Sequence, residues 1–162
     1  MAFSDDWSGW WRGFLGSPPD GDLEALEVLR QRYIEERQQI ERFKQHAQRM
    51  HYPQYQEKLL EMATEKSKYA ESIAKKIVAL GGELPEVPEG RLTDENSWRH
   101  LLMALEEENR SADHLPEQLR NIESHHPDIA KFLRQISQEQ KKHRDEIRAM
   151  LMRSDPFALS LA

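Results

Sequence analysis

Apolar residues recur along this chain at alternating steps of three and four, the spacing that lines one face of a helix. The first such stripe reads Leu26, Leu29, Tyr33, Ile40, Phe43, Ala47 and Met50, and predicts a helix from near Leu23 to near Met50. Pro53 marks a turn, and a second helix is predicted from about Gln54 to Leu80, stopped by Gly81-Gly82. A third is predicted from a cap at Thr93 or Asp94 to about Ser124, with Pro116 inside it as a kink. After "HHPD", a fourth begins at Pro127 or Asp128 and ends near Arg153. Runs alternating apolar with polar residues are nearly absent, so the fold class is all-α. The longest connection, "GELPEVPEGRLTD", suits a crossover between two helical hairpins, which makes a four-helix bundle of residues 20–153. Residues 1–19 form a separate aromatic N-terminal segment, and residues 154–162 an apolar tail.

Each stripe is broken near its middle by a polar residue. Glu36 interrupts the first, Lys66 the second and Glu108 the third, while Gln140 and His143 interrupt the fourth, and Tyr69 lies beside Lys66 one step off the pattern. Mid-helix positions of a bundle lie at similar height, so these residues are expected to form one buried polar layer. An ammonium inside a bundle costs several kcal/mol unless a negative charge meets it. Glu36 and Glu108, arriving from neighbouring helices, are the natural counter-charges for Lys66.

Composition narrows the chemistry. Charged residues make up 32% of the chain and the mean hydropathy is -0.86, as expected of amphipathic helices with densely charged outer faces. The net charge of -6, with acids and bases interspersed, offers no basic stripe for a phosphate backbone, so nucleic acid is not an expected partner. Cysteine is absent, which removes disulfides, thiolate metal sites and cysteine nucleophiles together and leaves His, Asp and Glu as ligands. No apolar run approaches the roughly 20 residues of a membrane span, and no signal-peptide pattern opens the chain. A cytoplasmic location is the default expectation.

The interrupted stripes, together with "RFKQHAQRM" and "KYAESIAKKIVALGGELP", resemble the ferritin-like superfamily of bacterioferritins and rubrerythrins over roughly residues 23 to 151. The resemblance implies a ferritin-like four-helix bundle. Its members hold two iron or manganese ions with one glutamate from each of two helices and a Glu-x-x-His pair from each of the other two, because hard cations demand several carboxylate oxygens. By that resemblance Glu36 matches the single glutamate of the first helix, Glu108 that of the third, and His143 a ligating histidine. The other positions depart. The Glu-x-x-His of the second helix falls on Lys66 and Tyr69, and the glutamate of the fourth falls on Gln140, so both bridging carboxylates are lost. Phe43 also stands where relatives often carry tyrosine.

Acids flank the chosen positions at Glu35, Glu65, Glu107 and Glu139. A one-residue shift in register turns a side chain by about 100° and offers Glu65, Glu107, Glu139 and His143 as an alternative surviving site, although apolar periodicity makes them solvated flanks. His46, His51, His100, His114, His125 and His126 read as exposed or loop histidines.

The segment "SDDWSGWWRGFLGSPP" places Trp7, Trp10, Trp11, Phe14 and Leu15 at helical spacing, with Ser4 as cap and Gly16 and Pro18 as stop. So aromatic a face calls for cover, either by its own bundle or by a protein partner. Membrane contact is disfavoured by two aspartates against one arginine. The tail "DPFALSLA" loosely resembles short docking peptides of ferritin-like cargo proteins.

The functional expectation is a ferritin-like protein with a decayed dimetal centre. It would bind no metal cofactor and act, without catalysis, as a binding or assembly component through the aromatic segment, with a homodimer as default. The alternative is an iron- or manganese-dependent oxidase, a ferroxidase or peroxidase, using Glu36, Glu108 and His143 in a reduced site. In that case Lys66 would have to be displaced or neutral.

Overall fold

The computed structural model describes residues 20–92 and 95–154, in which four helices follow one another: α1 (Asp20–Gln48), α2 (Pro53–Ala79), α3 (Ser97–Arg120) and α4 (Pro127–Arg153). No strand occurs among the described residues. The aromatic segment with Trp7, Trp10, Trp11, Phe14 and Leu15, the suggested caps Thr93 and Asp94, and all of the C-terminal tail beyond Ser154 lie outside them.

Local chemistry sets the helix ends. Pro53 and Pro127 open α2 and α4, where their fixed φ suits a first helical turn and their missing N–H leaves nothing unsatisfied. The third helix starts later than the sequence pattern suggests. Its cap is Asn96, whose side chain accepts from Arg99 N at 2.9 Å, and the helix runs on through Pro116. It also stops at Arg120, short of the expected Ser124. Helix α2 ends in paired 2.9 Å hydrogen bonds from Gly82 N to Ile77 O and Gly81 N to Val78 O. Gly81 supplies the φ of +79° that this closure needs.

Contacts between the helices give their directions. Ser97 Oγ, at the start of α3, accepts from His51 N at 3.1 Å, just past the end of α1. Gln118, near the end of α3, reaches Gln31 in the first half of α1 at 3.2 Å. Helix α3 therefore runs antiparallel to α1, as α2 does. The 81–96 connection climbs the outside of α1: Glu83 O accepts from Arg30 at 3.1 Å, Pro88 O from Gln38 at 3.4 Å, and Gly90 O from Gln45 at 3.4 Å. This is the crossover read from the sequence.

Two apolar cores fill the bundle. The lower joins Leu26, Leu29, Ile73, Ile77, Leu119 and Leu133 with their neighbours, and the upper joins Phe43, Leu59, Met62, Leu101, Ile147 and Met150. Between them lies a band in which every helix contributes a polar side chain.

Candidate functional site

That band contains Glu36, Lys66, Glu108, Gln140 and His143, all buried. Lys66 is fully enclosed, at 0% exposure, and its Nζ makes an ion pair with Glu108 Oε1, with a second carboxylate, Glu36 Oε2, at 3.6 Å. A third contact escaped the sequence reading: Lys66 Nζ donates to Gln39 Oε1 at 2.7 Å. The face of the Phe43 ring is turned to the ammonium, its centroid 5.3 Å away. Burial alone would drag the lysine pKa down, but the carboxylates of Glu36 and Glu108 outweigh it and hold the pKa above the ordinary value. The ammonium therefore stays charged. Gln140 Nε2 donates to the remaining Glu36 oxygen at 2.5 Å, while Glu36 Oε2 and Glu108 Oε2 accept no hydrogen bond.

The layer is not one continuous network. His143, although buried, turns away from Lys66 and donates from Nε2 to Glu65 Oε2 at 2.7 Å, leaving its Nδ1 without a partner. That hydrogen bond holds the Glu65 carboxyl below the usual range even as burial opposes it. Tyr69 is only partly buried. Its phenol pKa is pushed up by burial and by the Glu139 carboxylate, so it belongs to the outer flank with Glu65 and Glu139.

The flanking acids divide. Glu139 is exposed, as expected of a solvated flank, but Glu35 and Glu107 are not free in water. Glu107 is 10% exposed and pairs with Arg42 at 3.3 Å; burial raises its carboxyl despite the nearby guanidinium. Glu35 accepts from Arg32 at 2.7 Å.

A second buried file on α1 was missed by the stripe. Ala25, Arg32, Gln39 and His46 stand seven residues apart, and all are buried. They face α3. Arg32 Nη1 donates to Ser111 Oγ at 2.6 Å and Ser111 O at 3.0 Å, Gln39 Nε2 donates to Glu107 O at 3.5 Å, and the Nδ1 atoms of His46 and His100 lie 2.8 Å apart. His46 and His100 are thus fully buried partners, not exposed histidines, because α1 packs against α2 and α3 at once and has two inner faces. The heptad spacing in the sequence carried this signal. Burial, the neighbouring His100 and Arg42 push the His46 pKa down to about 3, so that ring is neutral. Of the other histidines, His51, His114 and His125 are exposed as read, and His126 is partly buried, bonded to Asp22 at 2.5 Å.

Four helices in the order up, down, down, up, a long crossover and a polar band at mid-height define a ferritin-like bundle. The chain belongs to the ferritin family: the family's ferritin-like domain matches residues 38–155. Among solved structures it is similar to a ferritin-like, diiron-carboxylate protein from Bacillus anthracis strain Ames, at 16% identity and a TM-score of 0.74 over 82% of this chain and 99% of that one. It is also similar to a protein from Xanthomonas campestris, at 15% identity and a TM-score of 0.73 over 83% and 92%. BfrA from M. tuberculosis gives 16% and 0.71 over 79% and 83%. No curated protein matches the sequence.

The residues present do not fit the two metal ions that such a fold implies. Two hard cations call for several carboxylates and two imidazoles. Here two carboxylates converge on an ammonium, an amide replaces a third, and the histidine is bonded elsewhere. Among the described residues no group of three or more His, Asp or Glu side chains is arranged to hold an ion. No described helix is long and apolar enough to cross a membrane.

Proposed function

We propose that this member of the ferritin family is a non-catalytic binding or assembly component whose dimetal centre has been replaced by Lys66. One observation carries the reading: the amine of Lys66 lies between Glu36 and Glu108, the two acids that the resemblance assigns as metal ligands. A charged ammonium there repels cations and occupies the oxygens they would need. The oxidase reading is weakened by the same geometry, since His143, its third ligand, is engaged with Glu65. Interaction then falls to the aromatic N-terminal segment, through Trp7, Trp10, Trp11, Phe14 and Leu15, with a protein partner or a second copy of the chain as its target.

Metal content tests the first half. After anaerobic loading with ferrous iron and desalting, plasma mass spectrometry is expected to find near-zero iron per chain, and stoichiometric iron would overturn the reading. For the second half, Trp7, Trp10 and Trp11 are replaced together by alanine. Association, followed by light scattering and pull-down, is expected to be lost while the bundle still melts cooperatively. Unchanged association would remove the segment from the interaction.

A further inference from the structure

Of the four sides of the bundle, the one between α2 and α4 is where neighbouring helices approach each other least. Two contacts bracket an open furrow there: Glu65 with His143 at mid-height, and below it Lys76 Nζ, 4.6 Å from the centre of the Phe132 ring. The brackets stand eleven residues apart on both helices, which makes the furrow about 16 Å long. Buried Ile136 and partly buried Phe132 and Tyr69 line its floor, exposed Lys68 and Gln135 its rims, and the space between holds about 230 Å³. Phe132 and Tyr69 pack on the lower core with one side only.

We propose that this furrow receives the aromatic N-terminal segment of a second copy of the chain, so that two copies exchange segments. The inference rests on the reading that assigns interaction to that segment, and it goes further by naming the surface on which the segment lands. The lengths agree, since a helix from Trp7 to Leu15 is about 13 Å long. The chemistry agrees as well. Indole faces suit the ammonium of Lys68, and indole edges suit the rings of Phe132 and Tyr69. Asp5 and Asp6 outnumber Arg12 in the segment, and the lysines along the α2 side, Lys68 and Lys76, have the opposite sign. Glu139, the acid that also lines the furrow, already accepts from Gln135 at 3.4 Å.

Reach decides between the chain's own segment and that of another copy. Four residues join Leu15 to Asp20, and fully extended they bridge at most about 18 Å. Helix α2 stands between α1 and the furrow, and the way around it is about 20 Å or more. The way beneath the bundle is taken by the 121–126 turn, which His126 ties to Asp22 at 2.5 Å. Ser17-Pro18-Pro19 favours an extended lead that carries the segment outward. Under a two-fold axis the exchange is mutual, and each dimer contains the contact twice.

The test measures dimer dissociation of the full-length chain by sedimentation velocity. Wild type is compared with Ser72→Glu plus Gln135→Glu, which places two carboxylates in the furrow, and with the alanine replacement of Trp7, Trp10 and Trp11. Wild type is expected to dimerise, and both variants to dimerise at least about tenfold more weakly while still melting cooperatively. Mixed in equal amounts, with a fluorescent label on one, the two variants are expected to form a heterodimer, because one retains the furrow and the other the segment. A monomeric wild type, a furrow variant that dimerises as wild type does, or a mixture without heterodimer overturns the proposal. If the acid pair prevents folding, Ser72→Trp, which plugs the furrow with an indole of its own, takes its place under the same outcomes. A tryptophan variant that loses its dimer beside an unaffected furrow variant removes only this receiver and leaves the proposed function standing. A tryptophan variant that dimerises as wild type does defeats the segment's role in both.

Discussion

The Nδ1 atoms of His46 on α1 and His100 on α3 lie 2.8 Å apart in a place that water does not reach, one ring donating and the other accepting. Their edge-to-face contact, with centroids 5.0 Å apart, sits beside the ring of Phe43. The accepting imidazole must be neutral for this bond, because a proton on its Nδ1 removes the acceptor.

Acid should therefore loosen the bundle at this point. His46 has a folded pKa lowered to about 3 from an ordinary 6.5, so the unfolded chain binds a proton that the folded chain refuses between those values. Its stabilising contribution is complete above about pH 6.5 and is lost as pH falls toward 3, at no more than about 1.4 kcal/mol per pH unit. Urea melts from pH 7.5 to 4 are expected to show this slope in wild type and a flatter one in His46→Phe. Equal slopes would assign the acid sensitivity to other groups.

The two acids around Lys66 should not be equivalent. Glu108 makes the closer ion pair, whereas Glu36 stands 3.6 Å from the ammonium and keeps a separate bond from Gln140. Glu36→Gln preserves that bond and leaves one acid matched to one amine, so its unfolding free energy is expected within about 1 kcal/mol of wild type. Glu108→Gln removes the nearest charge from a buried ammonium and is expected to cost about 2–4 kcal/mol. Chemical denaturation of the two variants side by side checks the order, and the reverse order would mean that Glu36 is the principal partner.

Arg32 depends on Ser111. The guanidinium is buried and reaches the Ser111 hydroxyl at 2.6 Å, the Ser111 carbonyl at 3.0 Å and Glu35 at 2.7 Å. Ser111→Ala removes the first, together with the 3.3 Å bond that the hydroxyl donates to Glu35, so a loss of about 1–2 kcal/mol is expected, measured by thermal or urea unfolding. A neutral result would mean that Glu35 and the carbonyl suffice.

Two adjacent glycines should fail differently. A Cβ on Gly82 would meet Leu26 Cδ2 at 2.5 Å and Ile77 Cγ2 at 3.1 Å, whereas one on Gly81 meets nothing within 4 Å but inherits a φ of +79°. Gly82→Ala is expected to cost about 1–3 kcal/mol through overpacking, and Gly81→Ala about 1 kcal/mol through backbone strain. Combining Gly82→Ala with Leu26→Ala separates the causes, since making room relieves only the steric one.

The architecture and the opposition of Lys66 to Glu36 and Glu108 were legible in the sequence because one polar residue in an apolar stripe has few places to go. Gln39, Arg32 and the His46–His100 pair were not read, since a single-stripe reading treats the positions beside it as solvent-facing. That assumption holds for an outer helix with one packed face. It fails for α1, which α2, α3 and the crossover surround. His143 shows the converse limit: periodicity placed it inside, but its partner depends on side-chain direction, and the ring turns toward Glu65 rather than Lys66. The start of α3 was misplaced for a local reason, since Asn96 performs the capping that Thr93 and Asp94 also advertise.

The crossover is fastened to α1 largely through its own backbone, by way of Glu83 O, Pro88 O, Gly90 O and Leu92 N. Side chains of α1 thus grip a strap whose residue identities hardly enter. Beneath it, the two hairpins meet through the two apolar cores and through the buried polar file of Arg32, Gln39 and His46. The chain is in this sense a heterodimer of hairpins carried on one polypeptide, with the strap maintaining a high effective concentration of one half for the other. Cut within the strap, the halves should dissociate on dilution and re-form a bundle when mixed, each half bringing one of the two acids that meet at Lys66.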